Sequence, residues 1–304
     1  MGTLLFATCA QLPGLDPDDR HLVRALENLG FCVKAAIWND RSVDWSDADA
    51  CVIRSTWDYH LHHDTFLQWV DEVLIETHLL NPAHIIRWNA HKFYLRELEN
   101  AGIPIVPTFW LECGTVIDLR HLLDRFGWPE AIVKPAYGAS ADGILHIASG
   151  REEVNLAEYY INELLLHQDA LLQPFLSTIS DRHERALVFI DGKYSHAVTK
   201  TPFMHARLDL SKRACLPPGA SGELPVRATE EEVALATRAL DVVPRGHVFA
   251  RVDIVRNGSV PCVLEVELIE PTLYLYAKPT AAFILAHAIK DRIVAERSVS
   301  FKAS

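Results

Sequence analysis

The chain has 304 residues, a length typical of two or three compact domains. Hydrophobic residues make up 49% and charged residues 23% of the sequence, a balance that excludes a disordered, collagenous or fibrous protein. The formal net charge of −11 is spread along the chain and argues against nucleic acid as a partner, although it allows a polyanion where cations cluster locally.

Hydropathy and cysteine usage indicate a cytoplasmic protein without a membrane partner. No segment of the sequence approaches the roughly 20 consecutive apolar residues of a membrane helix. The opening residues carry no basic start and predict a first strand rather than a cleaved signal peptide. The six cysteines follow no metal-binding spacing, so we expect reduced thiols. The sequence leaves open whether the chain forms a homo-oligomer.

The N-terminal third alternates strands with helices. Its predicted elements are a strand over 3–9, a helix between Asp16 and Gly30, strands over 31–38 and 50–56, and an amphipathic helix over 63–78. This alternation predicts a parallel sheet, in which ligands bind beyond the carboxyl ends of the strands. Four residues suited to substrate binding occupy that position: Arg54, Trp57, Asp58 and Tyr59. A loop with one salt bridge and two packed aromatic rings is the alternative interpretation.

The remainder of the chain predicts a small mixed α/β block followed by hairpins. The block contains a helix over 89–101 that begins at Asn89, then segments at 106–110, 119–126, 131–135, 144–147, 153–165 and 171–174. Two hairpins are predicted around Asp191-Gly192 and Asn257-Gly258. A long surface loop over 201–222 separates them, and helices are predicted over 229–240 and 280–292.

A lysine followed by a glycine-containing loop is the first candidate site. Lys134 lies at the end of a predicted strand, and small residues with Gly138 and Gly143 lead into the next one. Small side chains let backbone N–H groups approach a phosphate, and the lysine adds a positive charge. The spacing is neither that of a P-loop nor that of a dinucleotide fingerprint, and an ordinary hairpin loop is the alternative.

The second candidate site is the last hairpin, which carries three carboxylates. Alternate residues of a strand share a face, so Arg251 lies with Asp253 and Glu265 lies with Glu267. A three-residue connection over 257–259 would place Arg251 opposite Glu265 and collect apolar residues on the other face. Those residues are Val252, Ile254, Cys262, Leu264 and Val266. The carboxylates suit Mg²⁺, and a solvated face with an Arg251–Glu265 pair is the alternative.

The other candidate residues are individually weak. Lys92 fits a surface lysine early in the helix over 89–101, and the segment 173–175 fits a turn or a hinge that offers backbone groups to a nucleobase. Arg185 and Lys200 lie in a hairpin that also fits an ordinary exposed sheet. The histidines at 60, 62 and 63 have no cysteine support, which disfavours zinc.

Taken in chain order, these motifs resemble the ATP-grasp superfamily in its glutathione-synthetase-like branch, over about residues 85–290. The resemblance is carried by Lys92, Val-Lys-Pro at 133–135, Leu-Gln-Pro-Phe at 172–175, Glu184-Arg185, Lys200, Arg251-x-Asp253 and Glu265-x-Glu267. More narrowly, Arg-Ser-Thr-Trp-Asp-Tyr at 54–59 and Glu-Val-Glu-Leu-Ile-Glu-Pro-Thr-Leu-Tyr at 265–274 resemble the cyclo-ligases of cycloserine biosynthesis.

The resemblance implies a fold and a domain division. The fold would be α/β with an α+β lid, an ATP-grasp fold that follows an N-terminal parallel-sheet domain. We expect a substrate domain over 1–88, a small ATP-grasp lid domain over 89–172 and a C-terminal catalytic domain over 173–304.

The resemblance also implies roles for individual residues. The nucleotide-binding set would be Lys92, Lys134, Tyr137, Gly138, Ala139, Ser140, Gly143 and the adenine hinge Gln173, Pro174 and Phe175. Asp253, Glu265 and Glu267 would hold Mg²⁺, although relatives usually carry asparagine at the position of Glu267. The catalytic candidates are Arg251, Lys200 and Arg185, and the substrate candidates are Arg54, Trp57, Asp58 and Tyr59.

The function implied by the resemblance is ATP- and Mg²⁺-dependent ligation of a carboxylate to nitrogen through an acyl phosphate. The specific reaction would be cyclisation of O-ureido-D-serine to D-cycloserine, with a small amino-acid-like acid as the partner. An intermolecular amino-acid or peptide ligase is the alternative enzyme. A non-catalytic nucleotide-binding module is the alternative outside the enzymes, but Lys134 and the carboxylates that such a module would lose are present.

Overall fold

The computed structural model describes residues 2–139, 142–148, 150–176, 184–200 and 222–303, with side chains described up to residue 296. Ser140 and residues 201–221 of the predicted surface loop lie outside these ranges. Within them the strands form three sheets, and helices cover the sheet faces. The mixed helix-and-sheet architecture confirms the predicted α/β class.

The N-terminal sheet is parallel, as the alternation of strands and helices predicts. Its strands are β1 (Thr3–Thr8), β2 (Cys32–Ile37), β3 (Ala50–Ser55) and β4 (His78–Leu80), in the order β2-β1-β3-β4. Helices α1 (Arg20–Asn28) and α2 (His63–Glu76) follow β1 and β3 along the chain. An aromatic cluster of Trp38, Phe66 and Trp69 packs on one face of the sheet and anchors α2.

The predicted helix over 89–101 is wrong in its first half. Two helices occupy this region, α3 (Ala83–Ala90) and α4 (Tyr94–Asn100), and Lys92 lies in the bend between them. Asn89 resembles an N-cap in the sequence, but its amide instead donates to the carbonyl of Val266 and accepts from the N–H of Leu268. These long-range hydrogen bonds attach the bend to the strand that carries Glu265 and Glu267.

The second sheet is antiparallel and belongs to the mixed block. It contains β5 (Phe109–Leu111), β6 (Ala131–Pro135), β7 (Leu145–Ile147) and β8 (Ala170–Pro174), in the order β5-β8-β6-β7. Helices α5 (Leu119–Phe126) and α6 (Arg151–Leu164) cover one face. The boundary predicted after residue 172 falls inside β8, so we propose to place it at the end of that strand.

The third sheet is antiparallel and holds most of the candidate site. Its strands are β9 (Glu184–Ile190), β10 (Lys193–Lys200), β11 (Leu224–Val226), β12 (Phe249–Asn257) and β13 (Val260–Glu267), in the order β11-β10-β9-β12-β13. Helix α7 (Glu230–Val242) packs on one face and α8 (Pro279–Ala303) on the other. Among the described helices, none combines the length and the hydropathy needed to cross a membrane.

The register of the last hairpin differs from the predicted one. Arg251 pairs with Glu267 and Asp253 pairs with Glu265, because the turn has two residues and Leu264 bulges out of β13. The position of the turn and the bulge each shift the register by one, two in all from the prediction, so the four charged residues still share one face. On the other face Val263 joins Val252 and Ile254 in the core, while Cys262 and Leu264 pack in a separate small cluster.

Candidate active site

Three carboxylates, here called the triad, converge on strands β12 and β13 of the third sheet. Asp253 on β12 is fully buried, and Glu265 and Glu267 on β13 are partly exposed. One carboxylate oxygen from each residue lies within 4.8 Å of the other two. An all-oxygen donor set of this size fits a hard divalent cation such as Mg²⁺, which keeps several waters and binds through few protein carboxylates.

Two cations hold Asp253 ionised. Arg251 forms a bidentate pair with it, at 2.9 Å from both Nε and Nη2, and Lys200 Nζ lies 2.8 Å from its Oδ2. Lys200 also contacts Glu184, which shares its sheet face. Burial alone would raise the pKa of Asp253, but Arg251 and Lys200 outweigh burial and hold it well below the ordinary range.

Glu265 and Glu267 differ in charge environment although both belong to the same triad. Lys92 contacts Glu265, and together with Lys134 it more than offsets burial and lowers the pKa of Glu265. Burial raises the pKa of Glu267 to about 7, against the opposing effect of Arg251, which contacts it. Glu267 is therefore the carboxylate of the triad that titrates near neutral pH.

Lys134 extends the cationic side of the site. Burial lowers its pKa and the charge of Lys92 acts in the same direction, whereas Glu265 opposes both effects. Within the described part of the chain, no carboxylate lies within salt-bridge distance of its ammonium group. Two partly buried lysines close to one another favour a polyanionic ligand.

The loop after β6 (residues 136–143), here called the flap, is described at 136–139 and 142–143, and these residues pack onto the N-terminal domain. Tyr137 stacks on His63 of α2, with ring centroids 4.0 Å apart and planes 12° apart. Asp142 Oδ2 lies 3.1 Å from His60 Nε2. Gly143 has φ of +69°, and a Cβ there would lie 2.7 Å from the Pro135 ring. Ser140 of the flap is outside the described residues.

Two further small residues of the flap, Gly138 and Ala139, lie close to Lys92 or to the N-terminal core. A Cβ added at Gly138 would lie 3.9 Å from Cε of Lys92. Ala139 packs against the hydrophobic core of the N-terminal domain. The described flap residues therefore lie between Lys92 and the N-terminal domain.

The segment proposed as the adenine hinge lies at the end of β8. Gln173 pairs with Ile132 and Lys134 pairs with Leu171, so Gln173 and Lys134 share the sheet face opposite α5 and α6. The Gln173 side chain is buried and donates to Thr108 Oγ1 at 2.9 Å, which leaves it a structural role. Pro174 ends the strand, and Phe175 packs its ring on His146.

Arg54 and Asp58 occupy structural positions rather than the open substrate positions predicted for them. Arg54 is buried, pairs with Asp19 at 2.8 Å and donates to the carbonyl of Pro271 at 3.0 Å. Asp58 accepts from Trp38 Nε1 at 2.8 Å and so belongs to the aromatic core. The carbonyl of Pro271, in the chain segment after β13, lies over Arg54, whose Nη1 is nevertheless buried without a hydrogen-bond partner.

Trp57 and Tyr59 lie closer to the triad. Trp57 Nε1 donates to the carbonyl of Glu270 at 3.3 Å. Tyr59 is buried, and burial together with the charges of Glu270, Glu265 and Glu267 raises its pKa well above the ordinary value. These two rings therefore form the side of the site that the N-terminal domain contributes.

Arg185 departs from its predicted catalytic position. Strand alternation puts Glu184 on the face of the triad and Arg185 on the opposite face, under α7. There its Nη1 donates to Glu232 Oε2 at 2.8 Å. Glu232 also closes the capping box at the start of α7 with Thr229, so this pair stabilises the helix rather than the site.

Glu270 is a site residue that the sequence reasoning missed. It is 9% exposed, lies three residues beyond Glu267, and its pKa is raised to about 8 by burial and by the charge of Glu267. Strand periodicity ends with β13, so no spacing rule indicated its orientation. The only sequence signal was its place in the Glu-Val-Glu-Leu-Ile-Glu-Pro phrase at 265–271.

Comparisons with known proteins identify the family of the chain. A sequence family described as the N-terminal domain of D-cycloserine synthetase DcsG matches residues 4–81. The cycloserine biosynthesis protein DcsG of Streptomyces lavendulae is 31% identical over 314 residues, covering 96% of this chain and 99% of that protein. The sequence is therefore similar to a whole curated protein and not to one domain alone.

Solved structures of ATP-grasp ligases match the fold over nearly the whole chain. The crystal structure of D-cycloserine synthetase DcsG matches with a TM-score of 0.84 at 30% identity, over 96% of this chain and 100% of that one. A D-alanine–D-alanine ligase from Bacillus anthracis matches with a TM-score of 0.67 over 99% of both chains, at 14% identity, which indicates a shared fold. The chain belongs to the DcsG family of ATP-grasp ligases, and it is an enzyme that forms carbon–nitrogen bonds.

Proposed function

We propose that the protein is an ATP- and Mg²⁺-dependent cyclo-ligase that converts O-ureido-D-serine to D-cycloserine. The observation that carries this proposal is the carboxylate triad of Asp253, Glu265 and Glu267 beside the partly buried lysines Lys92 and Lys134. Similarity to the cycloserine biosynthesis protein DcsG over nearly the whole chain supports the specific substrate.

The proposed reaction begins by activating the substrate carboxylate, since oxide is too poor a leaving group for direct attack by nitrogen. The carboxylate accepts the γ-phosphoryl group of ATP and becomes an acyl phosphate, from which phosphate leaves readily. Mg²⁺ bound by the triad would neutralise charge on the transferring phosphoryl group. The chain's own residues position the reactants, so the reaction needs cations rather than a nucleophilic side chain.

Each cation of the site has a distinct place in this scheme. Lys92 and Lys134 lie toward the flap and would contact the nucleotide phosphates. Arg251 and Lys200 lie beneath Asp253 and would face the acyl phosphate. The flap excludes water from the intermediate, because an acyl phosphate hydrolyses readily.

Ring closure follows from the chemistry of the substrate. The nitrogen bonded to oxygen attacks the acyl carbon, phosphate departs, and a five-membered ring forms. Water must then remove the carbamoyl group from that nitrogen, as carbon dioxide and ammonia, to give D-cycloserine. Since both reacting groups belong to one molecule, holding that molecule folded supplies much of the rate. The use of ATP and the free thiols of the described cysteines support a cytoplasmic location for this activity.

A single incubation tests the proposal. Purified protein is mixed with ATP, Mg²⁺ and O-ureido-D-serine as the sole acid, and ADP and D-cycloserine are quantified by mass spectrometry. We expect both products without any added amine. Release of ADP only after addition of a second amino acid would replace cyclisation by intermolecular ligation, and absence of ADP under all conditions would favour a nucleotide-binding module.

A further inference from the structure

The strand that carries two of the three carboxylates, β13, lies at the edge of the third sheet. Its inner edge pairs with β12, where Arg251 is opposite Glu267 and Asp253 is opposite Glu265. Among the described strands none pairs with its outer edge. The buried backbone N–H and C=O groups on that edge therefore need partners of another kind.

Two side chains take the place of a neighbouring strand at Val266, the residue between the two glutamates. The hydroxyl of Tyr94 accepts from the N–H of Val266 at 2.8 Å and donates to its carbonyl at 2.8 Å. The amide of Asn89 donates to the same carbonyl at 2.7 Å and accepts from the N–H of Leu268 at 2.8 Å. Both side chains are buried. They supply the donors and acceptors that a further strand would supply to this edge.

The pairing of β13 with β12 is interrupted close to the same point. The bulge at Leu264 directly follows the Asp253–Glu265 pair, and a bulge disrupts the ladder locally. Before the bulge, the backbone of Val263 is held by hydrogen bonds of 2.8 and 3.1 Å to the segment 104–106. After the bulge, the two side chains at the outer edge fix the strand where its glutamates lie.

A shift of β13 would change the distances within the triad. Asp253 belongs to β12 and is held by its own contacts with Arg251 and Lys200. Glu265 and Glu267 move with β13. Because metal ligands must be held within about 0.5 Å of the productive geometry, a shift of one strand relative to the other weakens the bound cation.

The phosphate-binding side of the site has a separate attachment. Asn89 and Tyr94 flank Lys92 in the bend between α3 and α4. The backbone N–H of Lys92 donates to the carbonyl of Ala136, directly after β6, at 2.9 Å. Loss of a hydrogen bond to β13 therefore leaves Lys92 attached to the end of β6.

We propose that Asn89 and Tyr94 are positioning residues of the metal site. They act through the backbone of Val266 rather than by touching the metal, and they determine metal affinity more than nucleotide affinity. Substitution of residues that orient metal ligands typically lowers metal affinity about 10–100-fold. This inference rests on the proposed function, because it concerns the Mg²⁺ site of the proposed enzyme.

The first test removes one hydroxyl. Tyr94→Phe keeps the buried ring, and Ile85→Val in the buried face of α3 is the matched control, because it disturbs the same segment through a side chain that cannot form hydrogen bonds. Mn²⁺ affinity in the presence of ADP is measured by electron paramagnetic resonance, and urea unfolding compares stability. We expect Mn²⁺ affinity to fall about tenfold in Tyr94→Phe and to stay at the wild-type value in Ile85→Val. Equal Mn²⁺ affinity in the two variants would overturn the proposal.

ADP affinity without a divalent metal distinguishes this role from general damage to the site. Calorimetric titration with ADP in the presence of EDTA should give the same affinity for Tyr94→Phe and the wild type, because the attachment of Lys92 to Ala136 remains. A loss of metal-free ADP affinity as large as the loss of Mn²⁺ affinity would make Tyr94 a support of the phosphate site and overturn the proposal.

Asn89→Ala removes the other pair of hydrogen bonds and should lower Mn²⁺ affinity in the same way. In both variants the Mg²⁺ concentration for half-maximal ADP formation should rise, while the rate at saturating Mg²⁺ approaches that of the wild type. A lower maximal rate with an unchanged Mg²⁺ requirement would contradict the positioning role. If Asn89→Ala does not fold, Tyr94→Phe decides the question.

Failure of the proposed function can be told apart from failure of this inference. If the wild type binds Mn²⁺ with ADP but does not convert O-ureido-D-serine, the cyclisation is rejected and the comparison of Mn²⁺ affinities still decides the inference. If the wild type binds no Mn²⁺ in the presence of ADP, the metal site is rejected and the inference with it.

Discussion

The ammonium group of Lys92 contacts the carboxylate of Glu265, although 173 positions separate the two residues in the sequence. The contact joins the bend between α3 and α4 to the last strand of the third sheet. It places a cation suited to phosphate next to a carboxylate suited to Mg²⁺, and each neutralises the charge of the other. Binding of nucleotide with metal would replace this internal pair by two separate partners.

Glu265→Gln is expected to abolish ADP formation and to leave the fold intact. Glutamine keeps the shape and one oxygen donor but removes the charge that metal binding and the contact with Lys92 require. ADP release and circular dichroism are measured on the same preparation, with the exposed Glu72→Gln as the matched control. Turnover near that of the wild type would remove Glu265 from the metal site.

Lys134→Ala is expected to weaken ATP binding at least tenfold, or about 1.4 kcal/mol. The partly buried Lys134 has no carboxylate within salt-bridge distance in the described ranges, so its charge is available for phosphate. Calorimetric titration with ATP measures the effect, and Lys193→Ala at the exposed hairpin turn is the control. Equal ATP affinity in the two variants would contradict the assignment.

Arg54→Ala is expected mainly to lower the free energy of unfolding. The substitution leaves Asp19 buried without its partner, which costs about 3–5 kcal/mol in comparable sites. Urea unfolding measures the change, and the double variant Arg54→Met/Asp19→Asn should recover part of the loss because no lone charge remains. A variant of wild-type stability that loses only the acid substrate would instead restore the direct substrate role predicted from the sequence.

Asp16 predicts a pH dependence of stability that is independent of the active site. Burial and the charge of Asp19 raise its pKa from 3.8 to about 7. The folded protein therefore binds more protons than the unfolded chain between about pH 4 and 7, and the free energy of unfolding falls as the pH rises through that window. Below pH 4 and above pH 7 this contribution is constant.

Asp16→Asn tests that sign. Asparagine keeps the oxygen that accepts from the N–H of Asp18 at 2.7 Å but cannot ionise. Urea midpoints from pH 5 to 8 should show the variant gaining stability over the wild type as the pH rises. Asp124→Asn on the exposed face of α5 is the control. A stability difference between Asp16→Asn and the wild type that does not change with pH would contradict the prediction.

The sequence predicts most elements and the residue types of the site, because hydrophobic periodicity and hairpin turns are local signals. Strands β9 and β10 match their predicted bounds, and both residues of the turn between them have positive φ, at Asp191 and Gly192. The three carboxylates share a face, as strand alternation predicts, since a register shift of two preserves the side of each residue.

The errors arise where distant contacts override local signals. Asn89 has the chemistry of an N-cap, but its hydrogen bonds to the backbone of β13 take precedence. The bulge at Leu264 lies beside Val263, whose backbone bonds to Pro104 and Val106, a contact between segments far apart in the sequence. Arg185 and Arg54 face buried carboxylates, Glu232 and Asp19, that lie far away in the sequence.

The most direct test of the mechanism follows one oxygen atom. O-ureido-D-serine labelled with ¹⁸O in both carboxylate positions is converted with unlabelled ATP, and the released inorganic phosphate is analysed by mass spectrometry. An acyl phosphate retains the carboxylate oxygen on phosphorus when nitrogen attacks carbon, so we predict one ¹⁸O in each phosphate. Phosphate without ¹⁸O, formed alongside the cyclic product, would contradict carboxylate activation at this site.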